Sequence, residues 1–177
     1  MRFVIDDQAE ALIARHKEHL PDGSDLTLLV LKGHLLVEES LDQLIGSSCP
    51  APKYLLDARL TFAVKMRIAR ALTDHLLYPG YWDLIRALNK IRNGLAHKLD
   101  NPALEAALRD FMRLRQKHMG VLEDVPIDDA QDIDRERLRS DISLLIGQLY
   151  GWAAGLRTIV RAIEPWQRMV ECSKGTD

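Results

Sequence analysis

From about Asp134 to Ile163 the chain repeats an apolar residue at alternating steps of four and three: Leu138, Ile142, Leu145, Leu149, Trp152, Leu156, Ile159 and Ile163. That period holds one stripe on one side of an α-helix, whereas a β-strand alternates its faces every second residue and gains nothing from it. Gly147, Gly151 and Gly155 form a ridge of small residues on roughly the opposite side of the same helix, given about 100° per residue. A helix with two such faces has room for a neighbour on each, within a helical bundle, across a subunit interface, or both. Gln148, Arg157 and Arg161 lie in the same segment and argue against a membrane version of the small-residue ridge.

The remaining chain is consistent with a bundle. Leu, Ala, Ile and Val dominate its 177 residues and only 6% are aromatic, a mixture that suits packed helices better than a sandwich or barrel. The length supports one domain with a real core. A short helix after Asp6 or Asp7 runs to Leu20, and Pro21-Asp22-Gly23 stops it. Ser24 or Asp25 caps a second, central helix from Leu26 to Ile45, followed by a turn-rich break at 46–52. Leu55 to Leu77 reads as a third helix, with Leu60, Val64, Ile68 and Leu72 on one face and Arg59, Lys65, Arg67 and Arg70 on the other. Pro79-Gly80 ends it. A fourth helix spans Tyr81 to Leu99 with Leu84, Leu88, Ile91, Leu95 and Leu99 as its apolar stripe, and a fifth covers about Ala103 to Met119. The expected architecture is an all-α, single-domain bundle of about five to six helices. It comprises a core at 24–119, an acidic mobile linker at 122–134, a long C-terminal helix at 135–164 and a flexible tail at 165–177.

The formal net charge of −2 conceals a gradient. Residues 1–52 carry 4 basic and 9 acidic groups, residues 53–98 carry 9 and 3, and residues 99–177 carry 11 and 14. The middle third is therefore locally basic, a distribution that can build an anion site, although solvated helix faces also fluctuate in this way. Cys49 and Cys172 have no disulfide-framework or zinc spacing, no secretory segment opens the chain, and no apolar run has spanning length. These features point to a reducing cytoplasm, with no membrane partner.

There is no phosphate-binding glycine loop, no Gly-x-Ser-x-Gly, no His-Glu-x-x-His and no Cys-x-x-Cys. The remaining chemical candidate is Arg92-Asn93-Gly94-Leu95-Ala96-His97 in the fourth helix, flanked by Lys90 and Lys98. An Arg and a His five residues apart are weak evidence alone, since Arg70 with His75 and Arg113 with His118 share the spacing. Only the Arg92 pair has Asn93 beside the Arg in a basic setting, and one turn places Asn93 and His97 together, away from the apolar stripe. Gly94 costs the helix about 1 kcal/mol relative to Ala, so some loosening before His97 is expected.

This segment resembles the HEPN signature: an Arg, a polar residue that is often Asn, three residues and a His, carried on a helix of an α-helical bundle. The layout is also similar to that of the mannitol operon repressor family and related bacterial HEPN proteins. An apolar helix ends in Leu36-Val37-Glu38-Glu39-Ser40-Leu41, another helix intervenes, and Tyr81-Trp82-Asp83-Leu84 leads into the signature, so the resemblance covers about residues 26–99. It implies an endoribonuclease that needs no metal or other cofactor, a homodimer whose two motifs share the site, and an antitoxin or regulatory protein as partner. On that resemblance Arg92, Asn93 and His97 are catalytic, Lys90 and Lys98 contact RNA phosphate, and Glu38 or Glu39 supports Arg92. The alternative is a non-catalytic regulatory or interaction protein of the same layout. A direct DNA-binding repressor is disfavoured, because no helix-turn-helix with a basic recognition helix stands out.

Overall fold

Asp25 starts the first fully described helix by capping it: its Oδ2 accepts from the backbone N–H groups of Thr27 and Leu28. Both would otherwise lack partners at a helix start. A computed structural model of the chain describes residues 14–15, 18–20, 25–97, 102–119 and 135–174. The helices are α1 (Leu26–Ser48), α2 (Lys53–Leu56), α3 (Phe62–Thr73), α4 (Pro79–His97), α5 (Pro102–Met119) and α6 (Arg135–Lys174). No strand occurs among the described residues, so the fold is an all-α bundle. None of the described helices is long and apolar enough to cross a membrane. Residues 14–15 and 18–19 are helical, as expected for the first helix, while its other turns and the acidic linker lie outside the described residues.

α1 is the central element. It packs most extensively on α6, then on α3 and α4, and α4 in turn packs on α5. Leu29, Val30, Val37, Leu41, Leu44 and Ile45 of α1 are buried with Leu138, Ile142, Leu145 and Leu149, the first half of the α6 heptad stripe. The two helices approach closely because position 33 is Gly: a Cβ there would lie 2.7 Å from Ile142 Cγ2. Gly33→Ala is expected to destabilise the protein by about 1 kcal/mol net. The crowding costs about 1–3 kcal/mol, against about 1 kcal/mol of improved helix propensity. Chemical denaturation checks it.

Four boundaries differ from the sequence reading. α1 continues through Gly46 to Ser48, because the Ser47 and Ser48 hydroxyls donate back to the Gln43 and Leu44 carbonyls and fit within the last turn. The expected third helix is two, separated by a turn in which Arg59 has φ 47°, a left-handed conformation that interrupts a right-handed helix. The buried face of α3 is Phe62, Met66, Ala69 and Thr73, whereas Val64 is exposed. Steps of four only, as in Leu60–Val64–Ile68–Leu72, advance about 40° each and wind off the stripe.

Pro79-Gly80 begins α4 rather than only ending the preceding element. Proline suits the first helical turn because its missing N–H would have no partner there. α6 runs eleven residues past Ile163 to Lys174, through the expected tail. Ile163, Trp166 and Val170 extend the alternating steps beyond Pro165.

Candidate functional site

The two faces of α4 have different roles. Leu84, Leu88 and Ile91 are buried and Leu95 is packed against the core, on the side that supports α5. Trp82, Arg86, Asn89, Asn93 and His97 follow at steps of four, three, four and four, which places them within about 80° on the opposite side. This second stripe is buried at Trp82, exposed at Arg86, half-buried at Asn89 and exposed again at Asn93.

α4 stays helical through Gly94 to His97, contrary to the expected loosening. Gly94 is where α5 comes near: a Cβ there would meet Leu104 Cα at 3.4 Å. Arg92 and Asn93 are exposed, and Arg92 Nη1 donates to Asn93 Oδ1 at 3.2 Å. The Asn93 amide thus holds the guanidinium over the helix surface and still leaves other N–H groups of Arg92 available. His97 lies one turn after Asn93 along the helix backbone, and its side chain lies outside the described set. Lys90 is exposed, whereas Lys98 is outside the described residues.

The expected support for Arg92 from α1 is not formed. Glu38 pairs with Lys65 at 3.0 Å, and Glu39 pairs with Arg15 at 2.6 Å. Lys65 also binds Asp42 at 2.7 Å. Burial disfavours the Lys65 ammonium, but its bonds to Asp42 and Glu38 outweigh that and raise its pKa above the ordinary value. Lys65 therefore sits among carboxylates and not on the free basic face expected of it. Both glutamates are satisfied by nearer cations: one step of α3 brings Lys65 over the end of α1, and Arg15 approaches from the N-terminal segment.

His34 was not among the expected site residues. It is 95% buried on α1, stacked on the Phe62 ring with centroids 4.2 Å apart, and its Nε2 lies 3.0 Å from Asn89 Oδ1. The amide oxygen accepts, so Nε2 carries the proton and Nδ1 is the basic nitrogen. Burial lowers the His34 pKa below 6.5, the Asn89 bond and Glu38 oppose that shift, and the Arg92 charge adds to it. A polar residue inside the apolar band of α1, and an Asn one turn before Asn93, are the sequence signals that point to this pair.

The depressed pKa has a defined consequence. The unfolded chain takes up a proton on His34 near pH 6.5, while the folded chain resists protonation until lower pH. Stability associated with this group is therefore full above pH 6.5 and is lost as pH falls from there through the folded-state pKa. Thermal melting of wild type between neutral and mildly acidic pH should show this loss, and His34→Gln should remove that part of the pH dependence.

The other two Arg–His spacings do not reproduce the arrangement. Arg70 bonds to Asp74 at 2.9 Å, and His75 lies in the turn after α3. Arg113 and His118 share α5, but His118 faces Asp83 at 3.5 Å and the edge of Tyr78. Of the three pairs, only Arg92 and His97 lie on a helix with an Asn bonded to the Arg and a second Asn, Asn89, bonded to the buried His34. No family model, no curated protein and no solved structure matches the chain.

Proposed function

We propose that the chain is a HEPN-type, metal-independent endoribonuclease that acts as a homodimer, a toxin or defence component held in check by a partner protein. The observation that carries this reading is the unbroken α4 helix through Arg92, Asn93, Gly94 and His97, with the Arg92 guanidinium and Asn93 amide joined on its exposed face. His97 takes the proton from a ribose 2′-OH as that oxygen attacks the adjacent phosphorus. The P–O5′ bond breaks, and the leaving 5′-oxygen receives a proton from an imidazolium, that of His97 or of its copy in the second protomer. Arg92 binds the phosphate and offsets the charge that builds on it. Asn93 holds Arg92, Lys90 adds a positive charge one turn away, and Lys98 has the same role on the other flank. Glu38 and Glu39 take no part, since Lys65 and Arg15 hold them. RNA meets such a protein in the cytoplasm, in keeping with two cysteines in no disulfide-framework spacing.

Incubation of the purified protein with single-stranded RNA in EDTA is the test. The expected products end in a 2′,3′-cyclic phosphate and a 5′-OH, and DNA of the same sequence is left intact. Absence of RNA cleavage overturns the reading.

A second reading, a non-catalytic regulatory or interaction protein, has its own supporting observation. A Cβ added at Gly147, Gly151 or Gly155 meets nothing within 4 Å, and Leu28, Leu31 and Leu35 of α1 are 42%, 39% and 63% exposed. These faces suit assembly whether or not the chain cuts RNA. A stable oligomer with no nuclease activity would favour this second reading.

A further inference from the structure

Between α3 and α4 lies a cleft of about 280 Å³ that takes in Arg67 and Arg70 from one helix and Arg86 and Asn89 from the other, with Met66 and Trp82 among its walls. We infer that this cleft is a phosphate-binding site, taking a phosphate group borne on a ligand of about nucleotide size or on an RNA strand. The inference is independent of whether the chain cleaves RNA.

Three features support it. The first is charge. Arg70 is bonded to Asp74 at 2.9 Å and Arg86 to Asp83 at 3.0 Å, while Arg67 is exposed with neither of these carboxylates as its partner. Each guanidinium has five N–H donors, so Arg70 and Arg86 keep donors for a second acceptor after holding an aspartate. Three guanidinium groups against two carboxylates leave the cleft cationic. Tetrahedral oxyanions are the ligands that accept several such N–H forks together.

The second is an unmet donor. Trp82 is completely buried, and its indole Nε1 has no hydrogen-bond partner. A buried N–H without an acceptor is uncommon and calls for an explanation. Trp82 is part of the wall of this cleft, beside which a bound oxyanion would bring an acceptor.

The third is continuity. Arg86, Asn89 and Asn93 fall on one stripe of α4, and the rise from residue 86 to residue 93 is about 10 Å. A strand with one phosphate in the cleft would pass along that stripe toward Arg92. The volume is near the small end for ligand pockets, roughly 300–1,000 Å³. It therefore fits a phosphate with its immediate substituent rather than a large cofactor.

Binding is measured by calorimetry with two probes, adenosine monophosphate and a short oligouridylate, on the full chain carrying His97→Ala so that no probe is consumed. Wild-type cleft residues should bind at least one probe. Arg67→Gln with Arg86→Gln should weaken that binding by about tenfold or more, from the loss of charged hydrogen bonds. For the oligonucleotide the dependence of log affinity on log salt should shrink by about two phosphate contacts. The pair Arg109→Gln with Arg113→Gln on α5, the first half-buried and the second exposed, serves as the control and should leave affinity unchanged; circular dichroism and melting verify that both variants fold. Binding of the monophosphate alone identifies a phosphomonoester ligand, and binding of the oligonucleotide alone identifies the RNA backbone. The inference is overturned if neither probe binds, if the cleft variant binds as wild type does, or if the α5 control loses as much. None of these outcomes depends on cleavage, so failure here leaves the nuclease assay to stand or fall separately.

Discussion

Replacing His97 with Ala is expected to slow RNA cleavage by about 10²–10⁴-fold, the range for loss of a positioned general acid or base. The fold should not suffer. His97 is the last helical residue of α4, beyond the buried Leu88 and Ile91, and Ala is the better helix former by a few tenths of a kcal/mol. A large rate loss with an unchanged melting temperature would therefore report chemistry rather than unfolding. Arg92→Ala should produce a comparable loss, and Arg92→Lys should recover only part of it, because an ammonium lacks the planar fork that binds two phosphate oxygens. Cleavage by His97→Ala at the wild-type rate would remove His97 from the mechanism. Measuring initial rates across pH adds a further check: the Ala variant should lose the pH dependence that a general acid or base imposes on the wild type.

Arg115→Ala is expected to destabilise the fold by about 3–5 kcal/mol, the cost of breaking a buried ion pair by removing one of its two members. Arg115 of α5 donates from Nε to Asp141 of α6, and their side chains are 13% and 4% exposed. Removing the guanidinium leaves the Asp141 carboxylate in a site that water barely reaches, next to the fully buried Ile142. For a chain of this size the melting temperature should fall by about 10 °C. Replacing both members with apolar residues, Arg115→Met with Asp141→Leu, should restore most of the loss, because both charges of the pair are then removed together. A single-variant loss below about 1 kcal/mol would place the pair with ordinary surface bridges instead.

How far these features can be read from the sequence depends on the interaction that sets each. The α4 and α6 stripes are legible because alternating steps of three and four mark one buried side, and Leu84, Leu88, Leu138 and Ile142 all reach the core. The Asp25 cap is equally local, one carboxylate on two N–H groups nearby. The break at Arg59 is not legible, since a left-handed residue outside glycine has no strong sequence mark. Partner choice is harder still. Glu38 and Glu39 lie in the expected helix, but which cation reaches them depends on how α3 and residue 15 cross α1, distances that exist only after packing. His34 shows the same limit, because its significance arises from Asn89, 55 residues away.

The close fit of Gly33 against Ile142 also governs when the core can form. These contacts join positions 109 residues apart, and long-range pairings of this kind are slow to close and come late in folding. On the ribosome, where chains emerge at about 5–20 residues per second, α1 is complete well before the helix that will cover it. For several seconds Leu29, Val30, Val37 and Leu41 lack their final cover, and a chain stopped before α6 keeps that face open. A prematurely ended product should therefore be captured by chaperones or lost to proteolysis, because the face of α1 that α6 covers stays open until that helix has been made.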